Sequence, residues 1–141
     1  MKRTVAITFA VLAACCGLVA CGNDKESQQE AKQHLCSSLD TFAASVVALQ
    51  GLSLGTSSED DVDAAADNIG KAWDQVVKDA KDVKNASTDQ IECAYNDLKQ
   101  AIQDRPTDKP ITEVIAGLEP QITAFAESWK KLADGLDCKT T

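Results

Sequence analysis

Six cysteines and one histidine, His34, are the side chains best suited to chemistry in this 141-residue chain. Thiolate and imidazole groups bind zinc, but a closed zinc site takes four ligands, and His34 with Cys36 supplies only two. No two cysteines have the Cys-x-x-Cys spacing of a thiol redox pair. A single histidine also leaves little means of activating a nucleophile as general base. We therefore expect no metal, no cofactor and a protein that is not an enzyme.

The segment before Cys21 has the layout of a secretory signal peptide. Lys2 and Arg3 form a short positive region, and residues 5–14 are apolar. The segment ends in a sequence that resembles the lipobox of bacterial lipoproteins, Leu18-Val19-Ala20-Cys21. The resemblance implies that Cys21 receives a diacylglyceryl thioether, becomes the new N-terminus and carries acyl chains such as palmitate. The alternatives are a transmembrane anchor and an ordinary signal peptide that leaves Cys21 unmodified.

Cleavage before Cys21 predicts three parts of the chain. Residues 1–20 are the lipoprotein signal peptide, residues 21–33 a polar tether and residues 34–141 a helical-bundle domain. The whole chain has a net charge of −8, and the 121 residues after cleavage have 12 basic against 22 acidic side chains, a net charge of −10. This balance argues against nucleic-acid binding and against direct contact with anionic lipid. We expect the lipid to hold the protein on the extracytoplasmic face of the cell membrane.

Apolar residues recur at spacings of three and four along the domain, which is the pattern of helices with one buried face. The four stripes are Leu35-Leu39-Phe42-Val46-Leu49, Val62-Ala66-Ile69-Trp73-Val76-Ala80-Val83, Ile91-Tyr95-Leu98-Ile102 and Ile111-Ile115-Leu118-Ile122-Phe125-Trp129-Leu132-Leu136. Short connections between these stripes favour antiparallel neighbours. The sequence thus predicts an all-α fold, an up-down-up-down antiparallel four-helix bundle.

Particular residues predict where the helices begin and bend. Ser57 or Ser58 is expected to cap the second helix, and Ser87 with Gln90 matches a capping box for the third. Pro120 lies inside the fourth stripe and has no N–H to donate. We expect the fourth helix to be kinked or broken near Pro120.

Three cysteines, Cys36, Cys93 and Cys138, remain in the domain after the signal peptide and Cys21 are set aside. An up-down bundle brings all three to the same end, where a disulfide is expected outside the cytoplasm. Three thiols allow three single bridges. We favour Cys36–Cys138 because the first and last helices of such a bundle are usually neighbours, and Cys93–Cys138 is the alternative. Cys93 would then remain as a free thiol.

Trp73 and Trp129 are the two tryptophans, and both lie on apolar stripes. Core packing is the simpler interpretation of such rings. The functional alternative is a ligand pocket between helices, lined by Trp73 and Trp129 and opened by the bend at Pro120.

The domain is similar to the small secreted helical lipoproteins of actinobacteria, a group without an established activity. The similarity rests on Leu35-Cys36-Ser37-Ser38-Leu39, on the small apolar residues 44–49 and on Cys138 near the C-terminus. It implies the Cys36–Cys138 pairing, from which Cys93 departs. We expect an interaction or structural role at the cell envelope, with an unidentified envelope protein as partner. Small-ligand binding and thiol linkage to a partner through Cys93 are the alternatives.

Overall fold

The computed structural model describes the backbone of residues 23–139 and the side chains of residues 27–139. The four helices in this range are α1 (Asn23–Gly51), α2 (Glu59–Ala80), α3 (Asp89–Gln103) and α4 (Ile111–Gly135). A 3₁₀ turn, Leu52–Leu54, follows α1, and the described residues include no strand. The predicted all-α four-helix bundle is therefore confirmed. The predicted signal peptide and Cys21 lie outside the described residues.

Contacts between helix ends show that α2 runs antiparallel to both α1 and α3. Gln28, near the start of α1, donates from Nε2 to the carbonyl of Asp82 at 3.2 Å and accepts from the N–H of Lys84 at 3.0 Å, just beyond the end of α2. Arg105, just beyond the end of α3, donates to Glu59 at the start of α2 at 2.9 Å. We call the end of the bundle that holds the start of α1 and the end of α2 the disulfide end, and the opposite one the far end.

The predicted stripe of α1 forms the centre of the core. Leu35, Leu39, Phe42 and Leu49 are fully buried, and Val46 is nearly so. The stripes of the other three helices close around it, with α1 packed closely on α2 and α3 on α4. Burial of a side chain of this size stabilises a fold by about 1.5–3 kcal/mol, so the α1 stripe is a main source of stability.

Helix α1 begins well before its first apolar core residue. Residues 23–33, which the sequence analysis assigns to a polar tether, are helical from Asn23 onward. Ala31 packs against the core, and the side chain of Gln28 is bonded to the loop after α2. These contacts join residues more than 50 positions apart, so the apolar pattern of the segment itself does not reveal them.

Helix α2 begins with a local cap that the sequence predicts. Ser58 is the N-cap residue, and the Asp61 carboxylate accepts from its backbone N–H at 2.7 Å and from its hydroxyl at 3.0 Å. These two bonds, the backbone bond first, hold the pKa of Asp61 below its ordinary value. Of the two capping candidates, Ser58 is therefore correct.

Helix α3 begins one residue later than predicted. Thr88 is the N-cap residue without a side-chain capping bond, and the N–H of Glu92 bonds to its carbonyl at 2.8 Å. The predicted capping box of Ser87 and Gln90 is therefore wrong. The preceding loop turns at Asn85, whose φ of 64° lies in the left-handed region that asparagine tolerates.

Helix α4 is continuous through Pro120, so it is not broken there. Pro120 cannot donate to the carbonyl of Ala116, four residues earlier. Both residues are exposed, so water can bind the carbonyl oxygen that the proline leaves free.

Candidate functional site

Cys36 and Cys138 are joined by a disulfide at the disulfide end of the bundle, with 5.6 Å between their Cα atoms. This is the pairing that the sequence favours over Cys93–Cys138. Cys93, on the first turns of α3, is exposed and in no disulfide. The disulfide therefore ties α1 to the chain beyond α4, and among the cysteines of residues 27–139 it leaves Cys93 as a free thiol open to solvent.

A turn at the end of α4 positions Cys138 for this bond. Asp137 adopts a left-handed conformation with φ of 57°, and its N–H bonds to the carbonyl of Asp134 at 3.2 Å. The N–H of Cys138 then reaches back to the carbonyl of Ala133 at 2.9 Å. These two bonds form a Schellman motif, which satisfies the last carbonyls of the helix and reverses the chain toward α1.

A groove of about 910 Å³ lies beside the disulfide, between α1 and the chain that follows α4. Its charged lining residues are Lys32, Lys84, Lys139, Asp40 and Asp137. None of the three lysines forms a salt bridge within the described residues. Two negative groups accompany the three positive ones, so the groove does not have the strong net charge that would select an anion.

Ser38 and Asp79 form a polar contact between α1 and α2. The buried Ser38 hydroxyl donates to the Asp79 carboxylate, and Gln75 donates to the same carboxylate at 2.8 Å. Partial burial acts to raise the pKa of Asp79, but these bonds, with the charges of His34 and Lys78, lower it below its ordinary value. In a catalytic triad the serine is bonded to a histidine, whereas Ser38 is bonded to a carboxylate, so its role here is to join two helices.

One further sequence motif is Gly51-Leu52-Ser53-Leu54-Gly55, which matches the pattern Gly-x-Ser-x-Gly. In hydrolases this motif carries a nucleophile on a strand-to-helix turn. Here it occupies the 3₁₀ turn after α1, and the Ser53 hydroxyl donates to the carbonyl of Gln50 at 2.9 Å. His34, the one histidine of the chain, lies 17 residues before Gly51 on the same helix, about 25 Å away by helical rise. The motif therefore has no histidine to activate it.

Trp73 and Trp129 occupy separate places in the bundle. Trp73 is 7% exposed and stacks on Tyr95 with 5.0 Å between ring centroids, and Phe42 lies 5.4 Å from it. Trp129 is half-buried, and its indole N–H donates to the carbonyl of Leu39 at 3.0 Å. Neither Trp73 nor Trp129 is a lining residue of four well-formed grooves in the described part of the chain. Trp73 is thus packed in the core and Trp129 is bonded to α1, whereas a groove lined by another aromatic residue lies elsewhere in the bundle.

That groove lies between α2 and α3 and has a volume of about 410 Å³. Tyr95 and Gly70 both line the groove. They are close neighbours, since a Cβ atom added to Gly70 would lie 3.6 Å from the Tyr95 hydroxyl oxygen. The remaining lining residues are Ala66, Asp67, Ile69, Lys71, Asp74, Lys99, Ile102 and Gln103. We call this feature the α2–α3 groove. The helical spacing of Tyr95 predicts a core position and not a groove, and the one sequence signal for the groove is the isolated glycine at position 70 within a helical pattern.

Arg105 lies at the far end of the bundle, three residues after the groove residue Ile102. Its guanidinium donates to Glu59 at 2.9 Å, to Asp63 at 2.7 Å and to the carbonyl of Ile102 at 2.9 Å. Burial acts to lower the pKa of Arg105, but the two carboxylates raise it above its ordinary value. The guanidinium therefore stays charged and fixes the end of α3 against the start of α2.

His34 and Cys36 belong to no metal-binding cluster, since the described residues contain no group of three or more His, Cys, Asp or Glu side chains that could hold a metal. One helical segment of the described chain, Ser27–Leu54, is long and apolar enough to cross a membrane by length and composition. This is compatible with membrane association, but the apolar stripe of the segment is buried in the bundle, as in the core helix of a soluble domain.

No protein-family model, curated protein or solved structure matches the chain.

Proposed function

We propose that the protein is a lipid-anchored helical bundle on the extracytoplasmic face of the cell membrane, with a non-enzymatic interaction or structural role at the envelope. The lipobox resemblance of residues 18–21 and the apolar segment before it support the anchor. The acidic net charge supports attachment by lipid, because a protein with a charge of −10 gains no attraction from an anionic membrane surface.

The observation that carries this proposal is the early start of α1. The helix begins at Asn23, two residues after Cys21, and runs without interruption into the core. At 1.5 Å per residue, the five steps from Asn23 to Gln28, which is bonded to the loop after α2, span about 8 Å. A lipid on Cys21 would therefore hold the bundle through a short helical spacer, with the disulfide end toward the membrane and the far end toward partners.

The disulfide supports an extracytoplasmic location as well. Stable disulfides form mainly in oxidising compartments outside the cytoplasm. The Cys36–Cys138 bond joins α1, which would carry the anchor, to the chain beyond α4. Pulling on the lipid would thus load α1 and α4 together.

Labelling cells with radioactive palmitate tests the anchor. We expect label in the wild-type protein and in a Cys93→Ala variant, and none in a Cys21→Ala variant, which should leave the membrane fraction. Cys93→Ala is the matched control because it removes another cysteine that forms no disulfide. Unlabelled wild-type protein released into the medium would contradict the proposal.

A second candidate function is thiol linkage to a partner through Cys93, favoured by the exposure of this thiol. We expect a non-reducing gel of protein from cells to show a heavier band that disappears on reduction and in Cys93→Ala. A single monomer band in both proteins would contradict thiol linkage.

A further inference from the structure

We propose that the α2–α3 groove binds a small zwitterionic ligand, an amino acid or short peptide with a free ammonium and a free carboxylate. This inference does not depend on the lipid anchor. It rests on an unpartnered tyrosine hydroxyl, four charges without salt bridges and an apolar floor, all of which line one groove.

Tyr95 supplies the hydroxyl group of the groove. Its side chain is held by stacking on Trp73 and by an edge contact with Phe42 at 5.8 Å, and the residue is only 8% exposed. Its hydroxyl nevertheless makes no hydrogen bond to any residue that the structure describes, and it borders the groove beside Gly70. Because this hydroxyl borders the groove and has no partner among the described residues, it can bond to a ligand that enters the groove. Burial, and then the charge of Asp74, raise the pKa of Tyr95, so its hydroxyl stays a donor.

Four charged residues line the same groove, with two of each sign. Asp67, Lys71 and Asp74 lie on α2, and Lys99 lies on α3. None of them forms a salt bridge within the described residues, although Asp67 and Lys71 have the spacing of a helical ion pair. Lys99 is held loosely over the Tyr95 ring, 6.0 Å from its centroid. Balanced unpaired charges match a ligand that carries both signs, and disfavour a simple anion or cation.

The groove is large enough for such a ligand and has an apolar floor. Its volume of about 410 Å³ falls in the range of small-molecule sites. Ile69 and Ile102 form its buried apolar surface. Two features keep the groove open. Gly70 has no side chain to fill it, and α2 and α3 are not among the closely packed helix pairs. An apolar side chain of the ligand would lie on this floor.

Dileucine is the probe for this site, because it combines two apolar side chains with free termini. Trp73 is the reporter, since it stacks on the groove residue Tyr95. In the full-length Trp129→Phe variant, Trp73 is the remaining tryptophan, and we expect its emission to change saturably with dileucine up to about 10 mM. Calorimetry with the wild-type protein gives a second measurement that needs no substitution.

Two variants and two blocked peptides locate the binding and its chemistry. Gly70→Leu fills the groove and should abolish the response, whereas Gly117→Leu, at a helical glycine with open space around it, should leave it unchanged. Tyr95→Phe should weaken binding about 3- to 10-fold by loss of one hydrogen bond. N-acetyl-dileucine and dileucine amide should each bind more weakly than dileucine. Lack of saturation by fluorescence and calorimetry, equal binding of the blocked peptides, or an unchanged response in folded Gly70→Leu would each overturn the proposal.

Discussion

Removal of the Cys36–Cys138 disulfide should destabilise the bundle strongly. The bond joins residues 102 positions apart, and closing a loop of this size lowers the entropy of the unfolded chain by an amount worth about 4.7 kcal/mol. Domains of this size have total stabilities of about 5–15 kcal/mol, so this is a large share. For a bundle of slightly more than 100 residues it corresponds to a fall in Tm of about 15–20 °C.

Thermal unfolding followed by circular dichroism is the assay. The Cys36→Ala/Cys138→Ala double variant should melt about 15–20 °C below the wild type, and reductant should lower the Tm of the wild type toward that of the double variant. Cys93→Ala is the matched control and should melt with the wild type, because Cys93 is exposed and forms no disulfide. A double variant that melts within about 3 °C of the wild type would refute the argument that this bond staples the fold.

Three further predictions concern the remaining contacts. Arg105→Ala removes a largely buried guanidinium that binds two carboxylates. Unfolding in urea should show that the free energy of unfolding falls by about 1–3 kcal/mol. A loss below about 0.3 kcal/mol would contradict this role of Arg105. The pKa of Asp79 is lowered in the fold, so the stability that Asp79 contributes is present at neutral pH and is lost as the pH falls below about 4 through the folded pKa. Ser38→Ala removes one of the bonds that lower this pKa, so the free energy of unfolding should depend less on pH in this range. An unchanged pH dependence would argue against the Ser38 bond. Phe42→Ala should cost about 3–5 kcal/mol in the same urea assay, whereas Val47→Ala, at a 62% exposed site, should change stability by less than about 0.5 kcal/mol, and similar losses for both would contradict the assigned core.

The helices could be predicted from the sequence because their signals are local. The stripe from Leu35 to Leu49 has a period that only a helix satisfies, and its members are buried as the pattern predicts. Ser58 could also be identified, because its bonds reach only three residues along the chain. Local chemistry of this kind is readable before any tertiary contact is known.

Features that depend on distant residues could not be predicted in the same way. The helical start at Asn23 accompanies a contact between Gln28 and the loop at Lys84, and no pattern within residues 23–33 specifies that contact. The α2–α3 groove could not be predicted from the sequence for a related reason. Tyr95 has the spacing of a core residue and is buried like one, so its free hydroxyl is evident only once Gly70 is seen beside it. The spacing of apolar residues predicts which side chains are buried, whereas the position of the Tyr95 hydroxyl depends on how α2 and α3 pack.

Tandem mass spectrometry of the N-terminal peptide of protein purified from the membrane fraction tests the central claim most directly. We predict a mature chain that begins at Cys21, with a diacylglyceryl group on its sulfur. A chain that begins elsewhere, or one with an unmodified Cys21 thiol, would contradict the lipid-anchored account.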